Sequence, residues 1–189
     1  MAHPLRHRPP TRSMNNEPAP LTLDEINRMD HHAFVDALGG VFEHSPWVVE
    51  RAWTSRPFSG VADLHAAMVR AVREATAEEQ TALLRAHPEL AGREARSATL
   101  TASSAAEQAS AGLNALDRTD RARIAGLNRA YREKFGHPFI IAVRNTSKQG
   151  IFSEFERRLG LDARAELANC LEQVFMITNL RLDKLFGAA

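Results

Sequence analysis

Three short stretches carry the side chains of this sequence that could do chemistry: His87-Pro88-Glu89-Leu90, Ser104-Ala105-Ala106-Glu107-Gln108 and Phe135-Gly136-His137-Pro138-Phe139. With Arg181 downstream they supply an imidazole, a carboxylate, a carboxamide and a guanidinium. Such a set suits proton transfer on a small polar molecule. His87 can give or take a proton near neutrality, since an unperturbed imidazole titrates at about pH 6.5. Each residue also has a plainer reading. A histidine before proline is commonly a helix-end residue and no more. Ser104-x-x-Glu107 has the form of a capping box, in which Glu107 would bond back to the Ser104 amide. The same geometry can instead offer a substrate the free N–H groups of a helix start, with Glu107 as acceptor and Gln108 as amide. Gly136 and Pro138 read either as a helix stop or as a tight loop whose backbone approaches a ligand.

Arg181 stands out because of its neighbours. Leu167, Leu171, Val174, Thr178, Arg181 and Leu185 recur at alternating four- and three-residue steps, the spacing of one helix face. A guanidinium on that face is costly unless its stem snorkels to water or an anion pairs with it. A bidentate grip on a substrate carboxylate is the functional alternative. Metal ligation is disfavoured: His31 and His32 are adjacent, His44 and His65 fall on different expected helices, and neither His-Glu-x-x-His nor Cys-x-x-Cys occurs.

The elements that must position these residues read as a succession of helices. Thr22-x-x-Glu25 and Thr76-x-x-Glu79 are capping boxes, and Asp30, Ser59, Ser104, Asp120 and Asp162 are further expected caps. Phe34, Leu38 and Phe42 form one apolar stripe, and Val61, Leu64, Met68 and Val72 form another. The helix bearing Leu83 and Leu84 should stop near His87, because the residue before a proline is pushed out of the helical region. Leu113 and Leu116 are expected on the helix that Ser104 opens, and Ile124, Leu127 and Tyr131 on the next, which Gly136 ends. Ile151, Phe152, Phe155 and Leu159 mark a short helix closed by Gly160, and the last helix runs from Asp162 to about Phe186. Phe139 to Val143 is an apolar run that could be a buried strand, although nothing else in the sequence could pair with it.

Composition narrows the function. Lys plus Arg number 24 against 23 Asp plus Glu, so no basic field exists for a nucleic-acid backbone. Cys170 is the single cysteine, which excludes an intrachain disulfide and fits a reducing, cytoplasmic setting. No apolar run approaches the roughly 20 residues that span a bilayer, so no membrane partner is expected. The 189 residues suit one domain, taken as residues 21–189. Residues 1–20 carry Pro4, Pro9, Pro10, Pro18 and Pro20 with Arg6, Arg8 and Arg12, and are expected to be a disordered tail. A transit peptide is the alternative there, and Met14 is an alternative start.

Taken together, the signatures resemble the 2-oxo-4-hydroxy-4-carboxy-5-ureidoimidazoline (OHCU) decarboxylase family of urate degradation. The resemblance is carried by Leu83 through Gly92, by Ser104 through Gln108 with Ala111-Gly112-Leu113, by Leu127-Asn128 and Tyr131, by Lys134 through Val143, and by Arg181-Leu182. It implies an all-α, single-domain, bundle-like fold with no cofactor or metal, usually a homodimer, in which the segment after Pro138 is a loop. By motif it places the catalytic pair on His87 and Glu107. Substrate contacts fall on Pro88, Ser104, Gln108, Gly136, Phe139, Ile140, Ile141, Val143 and Arg181. The activity implied is decarboxylation of OHCU to (S)-allantoin, while an inactive helical interaction module or an acid–base enzyme acting on a related ureide stay open as alternatives. The proline-rich start is the departure from a minimal family member.

Overall fold

The computed structural model describes residues 19–144 and 146–188, so most of the expected tail lies outside the described residues. Ten α-helices and no strand occur among the described residues: α1 Leu23–Arg28, α2 His31–Leu38, α3 Trp47–Ala52, α4 Val61–Arg73, α5 Ala77–Arg85, α6 Arg93–Arg96, α7 Ala102–Ser110, α8 Arg118–Phe135, α9 Lys148–Leu159 and α10 Ala163–Leu185. The all-α expectation holds.

Capping chemistry explains most of the boundaries. Thr22 and Thr76 form complete capping boxes with Glu25 and Glu79, and the carboxylates of Asp30 and Asp162 accept from backbone amides in the first turns of α2 and α10. Such a cap contributes about 1 kcal/mol. Gly136, at φ 75°, ends α8 in the left-handed conformation that glycine adopts without a steric penalty.

Three expected caps are displaced. Thr101, not Ser104, caps α7, because its hydroxyl accepts the Ser104 amide and so makes Ser104 the third helical residue. Asp117, not Asp120, caps α8, and Asp120 lies in the first turn with its carboxylate on Lys148. Ser59 does not cap α4 either. The N-cap is Gly60, and the Asp63 carboxylate reaches back to the Ser59 amide and hydroxyl. Leu113 and Leu116 leave the helix as well, since α7 ends at Ser110 and Gly112, at φ 71°, turns the chain into a short 3₁₀ segment. Phe42 keeps its place in the core but lies beyond α2, in the turn that follows Gly39-Gly40, and His44 lies in that turn rather than on a helix.

The longest helix, α10, has 23 residues and so runs about 35 Å. It packs on α4 and α5, α3 packs on both α2 and α4, and α8 packs on α9. Phe34, Leu38, Leu64, Met68, Leu83, Leu84, Val174 and Leu182 are fully buried where these helices meet. Each such side chain contributes roughly 1.5–3 kcal/mol by leaving water. At the start of the described chain the Leu21 amide donates to the Leu185 carbonyl at 2.9 Å, tying the first residues to the end of α10.

A second cluster is polar and lies beneath the segment that follows α8. Arg158 and Glu166 are 1% and 0% exposed, and Arg158 Nε donates to the Glu166 carboxylate at 2.8 Å. The Tyr131 hydroxyl donates to the same carboxylate, and Arg158 Nη2 lies 3.0 Å from Cys170 Sγ. Burial, with Cys170 and Glu166 beside it, raises the Tyr131 phenol above its ordinary value against the pull of the Arg158 charge, and burial pushes the Cys170 thiol up to about 11, so both stay protonated at neutral pH. A buried ion pair of this kind costs much desolvation and is stable only when its remaining hydrogen-bonding groups are satisfied. One of those bonds bears on the site: Arg158 Nη1 donates to the Ile140 carbonyl at 2.8 Å.

Candidate active site

His87 stands one residue beyond the cap of α5, where the chain leaves the helix at Ala86 and enters the turn at Pro88. Its Nδ1 lies 2.9 Å from the Leu83 carbonyl, one helical turn back. A carbonyl only accepts, so Nδ1 carries the hydrogen and the neutral ring leaves a bare lone pair on Nε2. That Nε2 is buried and has no hydrogen-bond partner. Burial dominates its titration and drops it to about 4, partly opposed by the Leu83 carbonyl and the charge of Glu43. The imidazole is therefore an uncharged proton acceptor at neutral pH.

This assignment has a measurable consequence. Heteronuclear NMR of the ring nitrogens should show His87 still neutral, with Nδ1 protonated, at pH 5.5, where an exposed histidine is mostly charged. The sign for stability follows from linkage: between about pH 6.5 and 4 the unfolded chain binds a proton at His87 that the folded chain refuses. Stability drawn from this residue therefore falls as pH is lowered through that window. A ring that titrates near 6.5 in the folded protein would contradict the assignment.

The turn that carries His87 is tied down from two helices. Gln108 Oε1 accepts the Ala91 amide at 2.8 Å, and Gln108 Nε2 donates to the Glu89 carbonyl at 3.3 Å. From α8, Asn128 Nδ2 donates to the Leu90 carbonyl at 2.9 Å, and Arg132 Nε meets the Glu89 carboxylate at 2.8 Å. Gly92 closes the turn, and a Cβ there would come within 2.6 Å of Glu89 Cβ. Gln108 thus serves the turn as well as the cavity.

Opposite His87, the first turns of α7 meet α10. Because Thr101 occupies the cap, Glu107 is not in a capping box and its carboxylate is free to pair elsewhere. It takes Arg181 in a two-point grip, Nε to Oε1 at 2.7 Å and Nη2 to Oε2 at 2.9 Å. Arg181 does not snorkel: it is 8% exposed, and every one of its five N–H donors has an acceptor. Besides Glu107 these are the Val41 carbonyl, the Glu43 carboxylate and the Ser104 hydroxyl. Its proton affinity, lowered by burial, is raised overall by the two carboxylates.

Between His87 and Arg181 lies a small cavity, partly open to solvent. Its walls bring together His87, Pro88, Ser104, Glu107, Gln108, Phe139, Ile140, Ile141, Val143 and Arg181, joined by Leu90 and Ile177. Gly136 is the expected site residue that falls outside this lining. Its carbonyl accepts Arg85 Nε at 2.9 Å, so it fixes the start of the loop. The segment from Phe139 to Val143 is a buried loop, not a strand, held at Ile140 by Arg158 and at Ala142 by the Gln173 side chain. Phe139 stacks on Phe155 with ring centres 3.9 Å apart.

Sequence reasoning missed Glu43, Arg158, Glu166 and Ile177. Ile177 was within reach, one helical turn before Arg181 on the apolar face of α10. Glu43 was not, because the turn that carries it has no periodicity, and its one signal is an acid between Phe42 and the Ser45-Pro46 turn.

Residues 27–183 match the OHCU decarboxylase family profile. The chain belongs to the OHCU decarboxylase family. It is 46% identical over 168 residues to the 2-oxo-4-hydroxy-4-carboxy-5-ureidoimidazoline decarboxylase of Haloferax volcanii, covering 89% of this chain and 98% of that one. Its fold superposes on a crystal structure of (S)-allantoin synthase with a TM-score of 0.68 and 27% identity, over 87% of this chain, and it spans about half, 54%, of that longer chain. A crystal structure of OHCU decarboxylase in the presence of (S)-allantoin shares the fold with a TM-score of 0.65, over 84% of this chain and 99% of that one. For a member of the OHCU decarboxylase family, the convergence of His87, Glu107 and Arg181 on one cavity is the feature that bears on chemistry.

Proposed function

We propose that this chain decarboxylates OHCU to (S)-allantoin without a cofactor, as a step of urate catabolism, and that residues 21–189 are the catalytic domain. The observation that carries the reading is the unpartnered, buried Nε2 of a neutral His87 in a cavity whose far wall is Arg181 and Glu107. The substrate carries hydroxyl and carboxylate on one ring carbon, next to a ring C=N. Loss of carbon dioxide sends the bonding electron pair into the ring, toward the C=N nitrogen, so no prosthetic group is needed as electron sink. The ring nitrogen takes up a proton from water, the hydroxyl becomes the product carbonyl and releases its proton, and the neighbouring ring carbon gains one, so that one proton is consumed for each carbon dioxide released. In this reading His87 Nε2 accepts the hydroxyl proton, at the contribution of about 10²–10⁴ usual for a positioned base.

Glu107 and Gln108 orient the hydroxyl and ureido groups, and the loop from Phe139 to Val143 closes over the ring. Arg181 recognises the carboxylate. Since its five donors are occupied, the substrate carboxylate reaches it by taking the place of Glu107, whose side chain is 32% exposed while that of Glu43 is 2% exposed. Ejecting Glu107 also leaves its charge free to accept from the ureido N–H groups.

The chain is further read as a cytoplasmic homodimer. Its one cysteine lies buried and unpaired, in keeping with a reducing compartment, and Met176 on α10, 54% exposed, is an apolar side chain that a second copy would cover. No helix among the described residues is long and apolar enough to cross a membrane.

Circular dichroism of freshly generated substrate tests the activity. With the protein, an optically active product should accumulate faster than the spontaneous decay to racemate, and a chelator should leave the rate unchanged. Equal decay with and without protein would reject the reading, and a large chelator-sensitive loss would reject its metal-free form.

A further inference from the structure

Glu43 does not line the cavity, yet it is the most buried member of the charged group around it, at 2% exposure. Three side-chain donors converge on its carboxylate. Thr101 Oγ1 donates to Oε1 at 2.7 Å, and Ser104 Oγ and Arg181 Nη1 donate to Oε2 at 2.9 and 2.8 Å. Arg181 Nη1 also donates to the carbonyl of Val41, two residues before Glu43, at 3.3 Å. The turn between α2 and α3 is thereby bound to α7 through Thr101 and Ser104, and to α10 through Arg181. Burial alone would raise the Glu43 carboxyl, but these donors and the guanidinium charge outweigh it and keep the group ionised. The next residue, His44, sits at φ 47°, a left-handed conformation that is uncommon outside glycine. That turn geometry directs the chain so that Glu43 faces inward.

We propose that Glu43 is a positioning residue of the site: by accepting from Thr101, Ser104 and Arg181 at once, it fixes the guanidinium and the Ser104 hydroxyl in the cavity wall. Glu107 is then the outer, exchangeable counter-ion of Arg181, and Glu43 the permanent one. With Glu43 in place, Arg181 keeps a buried partner and a fixed plane while Glu107 is displaced. Without it, once the substrate carboxylate that displaced Glu107 leaves as carbon dioxide, the buried guanidinium would have only the Ser104 hydroxyl and the Val41 carbonyl against its desolvation cost. The inference rests on the function proposed above.

Two substitutions and one substrate-free measurement test it. Glu43→Gln keeps the size and loses the charge, while Glu43→Asp keeps the charge and loses about one bond length of reach. Each variant is to be compared with the parent below its melting point, where its near-ultraviolet circular dichroism matches that of the parent. Turnover should fall at least tenfold in both, and KM should rise with it, because the guanidinium that Glu43 fixes recognises the substrate carboxylate and misplacing reacting partners by an ångström slows the step itself. Without substrate, the Arg181 Nη1–H resonances, which donate to Glu43 and the Val41 carbonyl, should be resolved and slow to exchange with solvent in the parent, and should broaden or disappear in Glu43→Gln.

Thr101→Asp supplies an independent arm, since it keeps a good helix cap but sets a second carboxylate against Glu43. It should lower turnover in the same direction. Turnover within threefold of the parent in both Glu43 variants, or restored by Glu43→Asp, overturns the proposal. So does an Arg181 signal unchanged in Glu43→Gln. If no Glu43 or Thr101 variant can be obtained folded, Glu43 is a requirement of the fold and the proposal ends. A parent that itself lacks turnover rejects the function instead, and the Arg181 signal then still decides whether Glu43 holds the guanidinium.

Discussion

Replacing His87 by Asn should lower turnover by 10² or more while leaving the protein folded. The choice of Asn follows from the ring's orientation. An asparagine amide nitrogen occupies nearly the place of Nδ1 and can still donate to the Leu83 carbonyl, the bond that His87 makes at 2.9 Å. What disappears is Nε2, the buried lone pair that has no partner within the protein. Removing Nε2 takes away one unpartnered acceptor and the Asn carbonyl oxygen brings one back, so the number of unsatisfied acceptors is unchanged. Only the volume of part of a ring is lost, so the stability change should stay within about 1–2 kcal/mol. Proton acceptance by a positioned base contributes about 10²–10⁴ to rate, and that contribution should vanish. Stopped-flow circular dichroism gives turnover, and a thermal melt gives stability. A folded His87→Asn protein working within a few-fold of the parent would remove His87 from the proton transfer. Restored turnover in added imidazole would strengthen the assignment, because the missing part is a base of that size and shape.

Both the fold and the site were legible in the sequence to a limited and explicable degree. Helices with a strong capping residue and a regular apolar stripe, such as α5 and α10, could be read directly, because cap and periodicity are local properties. Thr101 won the cap of α7 over Ser104 because both are good capping residues three positions apart, and local rules do not choose between them. The choice matters to function: as a cap, Ser104 would have kept Glu107 on its own helix, whereas Thr101 frees it for Arg181. The cost of a guanidinium on the apolar face of α10 was also visible, and the structure resolves it by pairing instead of snorkelling. Its second partner, Glu43, comes from a turn 138 residues away. No local pattern can announce such a contact, since only the packing of α2, α7 and α10 creates it. The loop from Phe139 to Val143 could be recognised as no strand for want of a pairing partner, yet the reason it stays buried lies in the Arg158 and Gln173 side chains that meet its backbone.

Glu107→Gln separates a structural ion pair from a working carboxylate. With Thr101 as the cap of α7, the substitution removes nothing from the helix start, and the Gln oxygen can still accept from Arg181 Nε. Arg181 retains Glu43, Ser104 and the Val41 carbonyl, so no guanidinium is stranded. At 32% exposure the new amide can also turn toward water. The melting point should therefore move little, corresponding to a change of at most about 1–2 kcal/mol. If Glu107 serves only to neutralise Arg181, a substrate anion should meet less competition in the variant, and turnover should persist with a lower KM. If its charge orients the substrate hydroxyl and ureido groups after displacement, turnover should drop by about 10² or more however well substrate binds, because the lost interaction is one made in the transition state. The second outcome is expected, for a physical reason. The cavity already has a permanent counter-ion for Arg181 in Glu43, so a second carboxylate at the cavity mouth adds unfavourable negative charge against an anionic substrate. Its presence is explained by the reaction better than by the fold. A Glu107→Gln protein that melts and turns over like the parent would reduce Glu107 to a surface partner of Arg181 and leave His87 to act without it.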